Sequence, residues 1–296
     1  MEEGTLKKYI EAGRIAAEAL EFGRSIVKPG AKVLEIAEQI EAKIVELGGQ
    51  PAFPVNMSFN DTAAHYTPTP NDETTLSDQV VKLDVGVHMD GFVGGDTATT
   101  IDLSGKYTDL VKASREALNA ALKVVQIGTT LGEIGKEIED AITSFGFKPV
   151  RNLSGHGIGE WSIHQEPSIP NIDTGDDTEL KEGMTIAIEP FASTGAGIVH
   201  DKGLPYIHSI TGKKPVRNIV TRQVMRKISQ YNGLPFATRW LTDEFPLFKV
   251  NVALKDLDQL GILHSYAPLV DKDGGVISQA EHSVYIGDKV IVMTRL

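Results

Sequence analysis

Apolar residues recur at helical spacing twice in the chain, at Ile36, Ile40, Ile44 and Leu47 and again at Ile134, Ile138, Ile142 and Phe145. Each stripe predicts an amphipathic helix, closed by Gly48 in the first case and Gly146 in the second. The two stripes lie 98 residues apart, and the correspondence reaches beyond them. Laying Tyr9 to Pro51 over Tyr107 to Pro149 matches Glu18-Ala19-Leu20 with Glu116-Ala117-Leu118 and Gly30 with Gly128. It also matches Glu35-Ile36 with Glu133-Ile134, Ile40-Glu41 with Ile138-Glu139, and Pro51 with Pro149. Two copies are too few for a solenoid. The pattern predicts two related halves packed about a pseudo-two-fold, each running helix, glycine, helix, glycine, strands.

The periodicity then shortens to that of strands. Val80-Val81-Lys82-Leu83-Asp84-Val85-Gly86-Val87, the turn Asp90-Gly91 and Phe92-Val93 predict a hairpin with a type I′ turn. Val284-Tyr285-Ile286, a Gly287-Asp288 turn and Val290-Ile291-Val292 predict another near the C-terminus. Between Pro205 and His264 the chain becomes basic and helical, over Thr221 to Tyr231 and Val252 to Leu260. We read 1–204 plus 265–296 as one α/β unit and 205–264 as an inserted helical subdomain.

Composition narrows the chemistry. With 41% hydrophobic residues among 296, a full core is within reach. Lys+Arg 29 against Asp+Glu 40 gives a net charge of -11, which argues against nucleic acid and acidic membranes as partners. No apolar run is long enough for a membrane span, and the N-terminus has no targeting pattern. Cysteine is absent, so any metal must take oxygen and imidazole ligands, and a reducing cytoplasm fits.

Asp84 sits inside an apolar strand, where a carboxylate is costly unless paired or metal-bound. Asp96 lies on the return strand. With Asp90-Gly91 as a two-residue turn, Asp84 falls opposite Thr97 and Asp96 faces the other way. A bulge at Gly94-Gly95, where glycine tolerates unusual backbone angles, would bring both to one face. His156 stands between two glycines, Glu189 ends the apolar strand Met184 to Ile188, and Glu281 enters the last hairpin. Asp, Asp, His, Glu and Glu from separate strands suit two divalent ions about 3.5–4 Å apart that polarise a carbonyl. Hard oxygens with one imidazole favour Mn, Fe or Co. His65 and His164 are 99 residues apart, within one of the repeat offset, and are placed to face each other.

Phe53-Pro54 through Ala64-His65-Tyr66-Thr67-Pro68, Leu83-Asp84-Val85-Gly86-Val87, Asp96-Thr97-Ala98 and Ser154-Gly155-His156 resemble the type II methionine aminopeptidases. So do Ser168-Ile169-Pro170-Asn171, Ile188-Glu189-Pro190-Phe191, Glu281-His282 and the insertion. The match runs nearly the whole chain and is similar to the short archaeal form. It implies the pita-bread fold and a metal-dependent peptidase removing the initiator methionine ahead of a small second residue. It also implies two divalent ions (Mn, Fe, Co or Zn), with Asp84 chelating one, Asp96 and Glu281 bridging both, and His156 and Glu189 completing the other. A hydroxide between the ions would attack the methionyl carbonyl, with Glu189 shuttling the proton. His65 and His164 would bind the peptide bond, and Phe53, Ile163 and Tyr266 would line the methionine pocket. The implied partners are nascent N-termini and a transient ribosome contact, met by a monomer in the cytoplasm.

Three departures stand out. The family has one residue fewer between the hairpin aspartates, so the bulge is required here. Ala280 replaces an aromatic before Glu281. The loop around Gly157-Ile158-Gly159 is closer to the type I form. Two alternatives remain open: an Xaa-Pro-directed peptidase of the same fold, and a non-catalytic ribosome-binding relative. His88, His200, His264 and His282 read as structural, Asp271 to Gly275 as a polar turn, and His208 as a candidate for the pocket rim.

Overall fold

A computed structural model describes residues 1–296. Four long helices form two pairs: α1 (Glu3–Ile26) with α2 (Val33–Glu46), and α3 (Thr108–Val124) with α4 (Leu131–Ser144). The 98-residue offset holds in three dimensions. It maps the bounds of α2 onto those of α4, and the short strand Gln50–Pro51 onto Lys148–Pro149. Gly30 and Gly128 adopt φ of 87° and 88°, and the helix-ending Gly48 and Gly146 adopt 92° and 81°. These left-handed positions explain why the glycines recur.

Each helix pair covers one sheet. In the first, Val80–Met89 pairs with Phe92–Asp102 on one edge and with Asn56–Phe59 and Gln50–Pro51 on the other. Strand alternation sends Val81, Leu83, Val85 and Val87 into a core with Ile15, Ile36, Ile40 and Ile44. Lys82, Asp84 and Gly86 therefore face away from the helices. The second sheet runs 291–292, 282–285, 185–188, 154–159, 162–170, all antiparallel. Ile186 and Ile188 pack on Leu118, Ile134, Ile138 and Ile142, while Ala187 lies outside that core. Ala280, buried at 1% exposure, belongs to the same core.

The expected bulge is present. Val87 pairs with Gly95 and His88 with Val93, so Gly94 is the extra residue. Asp90 and Gly91 carry the φ of 52° and 92° that a type I′ turn requires. The reason for glycine differs from expectation, because neither Gly94 nor Gly95 has a positive φ. Space is what matters. A Cβ on Gly94 would lie 1.9 Å from Tyr9 O, and one on Gly95 would lie 2.5 Å from Ala12 O. The bulged strand presses against the backbone of α1. Gly94→Ala is therefore expected to cost about 3 kcal/mol or more, since backbone cannot yield as a side chain does. That corresponds to a melting point roughly 6 °C lower. Gly4→Ala, at a helical position with nothing within 4 Å, serves as the control and should leave the melting point unchanged or slightly raised.

Between the sheets and the C-terminal hairpin lie α5 (Ile219–Ile228), α6 (Thr238–Thr242) and α7 (Leu247–Gln259). They share a separate core of Val224, Ile228, Phe236, Leu241, Val250 and Leu257. α7 starts five residues before the expected Val252. Leu247, Phe248 and Val252 are 42, 66 and 46% exposed, so apolar spacing misplaced its buried face, whereas Pro246 marks its true start. The C-terminal hairpin has a wider loop than a Gly287-Asp288 turn allows, pairing Val284 with Val292 and Tyr285 with Ile291. Arg239 of α6 is 5% exposed and grips both oxygens of Glu41 on α2. The same carboxylate accepts from Trp240 Nε1 and Val55 N, and Arg239 also reaches Thr67 Oγ1 at 3.2 Å. No helix is long and apolar enough to cross a membrane.

Candidate metal centre

The two sheets meet along a seam that sets the acidic residues. Asp96 N donates to Ser283 Oγ and the Ser283 hydroxyl returns the bond to Asp96 O, both at 2.9 Å. The Thr97 hydroxyl donates to Glu281 O at 2.9 Å, and Glu281 N donates to Ala98 O at 3.0 Å. Asp96 and Glu281 are thus fixed side by side by backbone bonds. Asp84 is two places along the neighbouring strand from Gly86, the partner of Asp96, so the bulge puts both aspartates on one face. In the second sheet His156 pairs with Ala187, and His282 pairs with Ile188, which carries Glu189 and Glu281 to the same end of adjacent strands.

All ten residues singled out from the sequence line one cavity of about 500 Å³: Phe53, His65, Asp84, Asp96, His156, Ile163, His164, Glu189, Tyr266 and Glu281. Asp96, His156 and Glu281 offer ligand atoms within 4.8 Å of one another. His156 Nε2 is 3.5 Å from Glu189 Oε1 and 3.7 Å from Asp96 Oδ2. Its Nδ1 lies 3.2 Å from Gly157 O, which can only accept, so Nδ1 carries the proton and Nε2 turns a lone pair toward the carboxylates. Burial, followed by the nearby His164, lowers the His156 pKa to about 3 and keeps the ring neutral. The flanking glycines serve packing, since Cβ atoms on Gly155 and Gly157 would meet Ala187 O at 2.2 Å and Glu166 O at 2.4 Å.

Four carboxylates share this space with no lysine or arginine among the cavity's walls. Burial pushes Asp84 up to about 7, against a hydrogen bond from Gln279. Burial and then mutual repulsion push Asp96, Glu189 and Glu281 far above the usual carboxylate range. Asp84 Oδ1 and Glu281 Oε2 are enclosed without a hydrogen-bond partner. A lone pair facing carboxylates, orphaned oxygens and uncompensated negative charge all call for a cation. The donor set of oxygens with one imidazole fits a divalent metal.

His65 flanks the cavity in a left-handed conformation, φ 65°, which costs a non-glycine residue energy and recurs at functional positions. Its Nδ1 donates to Ala267 O at 3.3 Å, leaving Nε2 free. Burial, then His164, lowers its pKa to about 4. His164 stands edge-on to His156 with ring centres 4.6 Å apart and keeps an exposed face. Both histidines flank Tyr266, at 5.4 and 6.1 Å.

Four wall residues escaped the sequence reading: Asn56, Ala64, Ile207 and Pro235. Asn56 was findable, since it lies opposite Asp84 in the ladder. Gln279, whose amide reaches Glu189 Oε2 at 3.4 Å, gave no signal beyond its place before Glu281. His264 is in a strand, stacked edge-on against Tyr266 at 4.4 Å. His208 is not at the rim: it is 5% exposed and bonded to Ser265 and Thr238. Asp271 is more than a polar turn. Burial would raise its pKa, but bonds from Ala196 N, Ser193 Oγ, Asp273 N and Gly275 N hold it below the ordinary value.

The model of metallopeptidase family M24 matches residues 7–224. The chain belongs to that family. Its relatives include the methionine aminopeptidase of Archaeoglobus fulgidus, 45% identical over 290 residues, covering 97% of either chain. That of Thermococcus onnurineus is 46% identical over 280 residues, 94% of this chain and 95% of the relative. The crystal structure of the methionine aminopeptidase of Thermotoga maritima aligns with a TM-score of 0.74 at 24% identity, covering 100% of this chain and 98% of the other. That likeness shows the shared fold, the pita-bread arrangement of two helix-backed sheets.

Proposed function

We propose that this protein is a methionyl aminopeptidase that removes the initiator methionine from peptides and nascent chains with a small second residue. One observation carries the reading: Asp84, Asp96, His156, Glu189 and Glu281 converge on a single cavity whose walls hold no side-chain cation. These five would hold two divalent ions, drawn from Mn, Fe, Co or Zn. Such ions supply Lewis acidity toward the scissile carbonyl and make water nucleophilic near neutral pH.

The chain's own residues do the rest. Asp84 and Asp96, held on one strand face, and Glu281, held by the seam, would fix the ligand geometry. Glu189, made more basic by its buried surroundings, would carry the proton to the leaving amine. His65 and His164 would hold the peptide bond and stabilise charge on its oxygen, the logic of preorganised donors. Phe53, Ile163 and Tyr266, with Ile207 and Pro235, supply the apolar walls that a thioether packs against. Residues 205–264 would act as an inserted unit supplying the outer wall. The enzyme would work as a monomer in the cytoplasm, a compartment that the cysteine-free composition fits.

The test compares Met-Ala-Ser with Ala-Pro-Ala, using protein loaded with each metal in turn. Free methionine from the first and no alanine from the second is the expected result. Alanine release with no methionine would make the enzyme proline-directed. No release with any metal would reject a peptidase.

A further inference from the structure

The seam has a second side. Strand alternation turns His282 away from its neighbour Glu281, so that one lines the acidic cavity and the other a groove behind it. This groove, of about 1110 Å³, lies between α1 and α3, with Thr99 on its floor and Arg295 at its C-terminal end. It straddles the pseudo-two-fold. The 98-residue offset pairs Ala17 of α1 with Arg115 of α3, and both are on its walls. One copy leaves room where the other carries a charge.

The cations here are unequally served. Arg24 is paired with Glu21 at 2.7 Å and Lys112 with Asp109 at 3.5 Å. Arg115 and Arg295 have no carboxylate within 4.0 Å, the chain terminus included. Arg115 is half-buried, and its side chain makes one long bond, 3.4 Å from Nη2 to the Thr99 hydroxyl. Burial, then Arg24, draws its pKa below the ordinary guanidinium value; Glu21 opposes this and Arg295 adds to it. A crowded, partly desolvated guanidinium without a counter-ion mirrors the unpaired carboxylates on the metal side. The Thr99 hydroxyl accepts from Arg115 and keeps its own proton to donate. His282 is held through Nδ1, 2.9 Å from Thr294 Oγ1, and its Nε2 has no protein partner. Glu116, the one other side-chain carboxylate of the groove, accepts from Asn119 on the exposed face of α3.

We propose that this groove binds a phosphate group, held by the guanidinium forks of Arg115 and Arg295 and by the Thr99 hydroxyl. These donors come from α3, the C-terminal segment and the sheet. A tetrahedral oxyanion accepts from several directions at once, whereas a carboxylate accepts in one plane. The groove exceeds what the free ion needs, and Leu20 and Val111 give it apolar flanks, so a small phosphorylated molecule fits as the free ion does. Bound there, the anion would tie α3 to the C-terminal segment and brace the seam without touching a metal ligand. Its binding does not depend on which peptide the metal side cleaves.

The experiment is thermal melting and calorimetry of the full-length, metal-loaded protein with inorganic phosphate, against chloride at equal ionic strength. A saturable rise of roughly 5 °C is expected at about a hundred times Kd. Arg115→Gln/Arg295→Gln should abolish that rise. Arg295→Gln alone, an exposed change that leaves the core untouched, should weaken binding about tenfold, as loss of one charge-assisted contact does. Arg222→Gln/Arg226→Gln removes two charges elsewhere and should respond as the parent does. In chloride the Arg115/Arg295 variant should melt no lower than the parent, since it relieves repulsion. Adenosine monophosphate separates the sources: tighter binding than phosphate, lost in the same variant, assigns the groove to a phosphorylated molecule, and equal or weaker binding assigns it to the free ion. No saturable rise, or the same rise in every variant, overturns the proposal, because phosphate would then act at the metals or as a general stabilising salt. So does an Arg115/Arg295 variant that melts lower in chloride yet keeps its phosphate response, which would make Arg115 a structural residue.

Discussion

Glu281→Ala is expected to lower kcat/KM for Met-Ala-Ser by about 10³-fold or more, because on the proposed reading it removes a metal ligand. Glu281 is 1% exposed and its Oε2 has no hydrogen-bond partner, so that oxygen is open to a cation. Its backbone bonds to Ala98 O and Thr97 Oγ1 survive the substitution, and the seam should stay closed. Removing one of four mutually repelling buried carboxylates should leave the metal-free protein as stable as the parent or more so. The parent should gain more melting temperature from added metal than the variant does, since only tight binding to the native state is stabilising. Elemental analysis, thermal melts and methionine release check the three parts. Unchanged turnover, or a variant that fails to fold with metal absent, would reject Glu281 as a ligand.

His164→Ala should act differently. It should lower kcat by roughly 10²- to 10³-fold, the effect of losing one preorganised donor to a developing oxyanion. Metal content should remain that of the parent. The ring makes no hydrogen bond to the protein and has an exposed face on the cavity, so its polar atoms are available to substrate. His156 in contrast is oriented by Gly157 O and points its Nε2 among the carboxylates. The pair is separated by measuring bound metal in both alanine variants. Loss of metal from His164→Ala would make that residue a ligand and not a donor to the oxyanion.

The halves of the fold were legible because repetition constrains more than periodicity. Apolar spacing alone places a helix, but Gly30, Gly48 and their counterparts mark left-handed turns that only a shared backbone path explains. The bulge was legible because two aspartates in one hairpin had to share a face. What the sequence concealed was long-range contact. Gly94 looked like a residue of unusual dihedrals, and its purpose is the approach of Tyr9 some 85 residues away. The start of α7 was hidden by exposed apolar residues, and Gln279 by offering nothing beyond its place before Glu281. The buried role of Asp271 depends on backbone N–H groups from Ala196 and Gly197, which no local pattern announces.

The two-oxygen grip of Arg239 on Glu41 ties the 205–264 wall to the first helix pair. The pair is more than four-fifths enclosed on both sides, and Trp240 Nε1 and Thr67 Oγ1 join it across the same junction. The wall that brings Ile207 and Pro235 to the cavity is therefore anchored from outside it, by a contact between α2 and α6 that none of the cavity-lining residues makes.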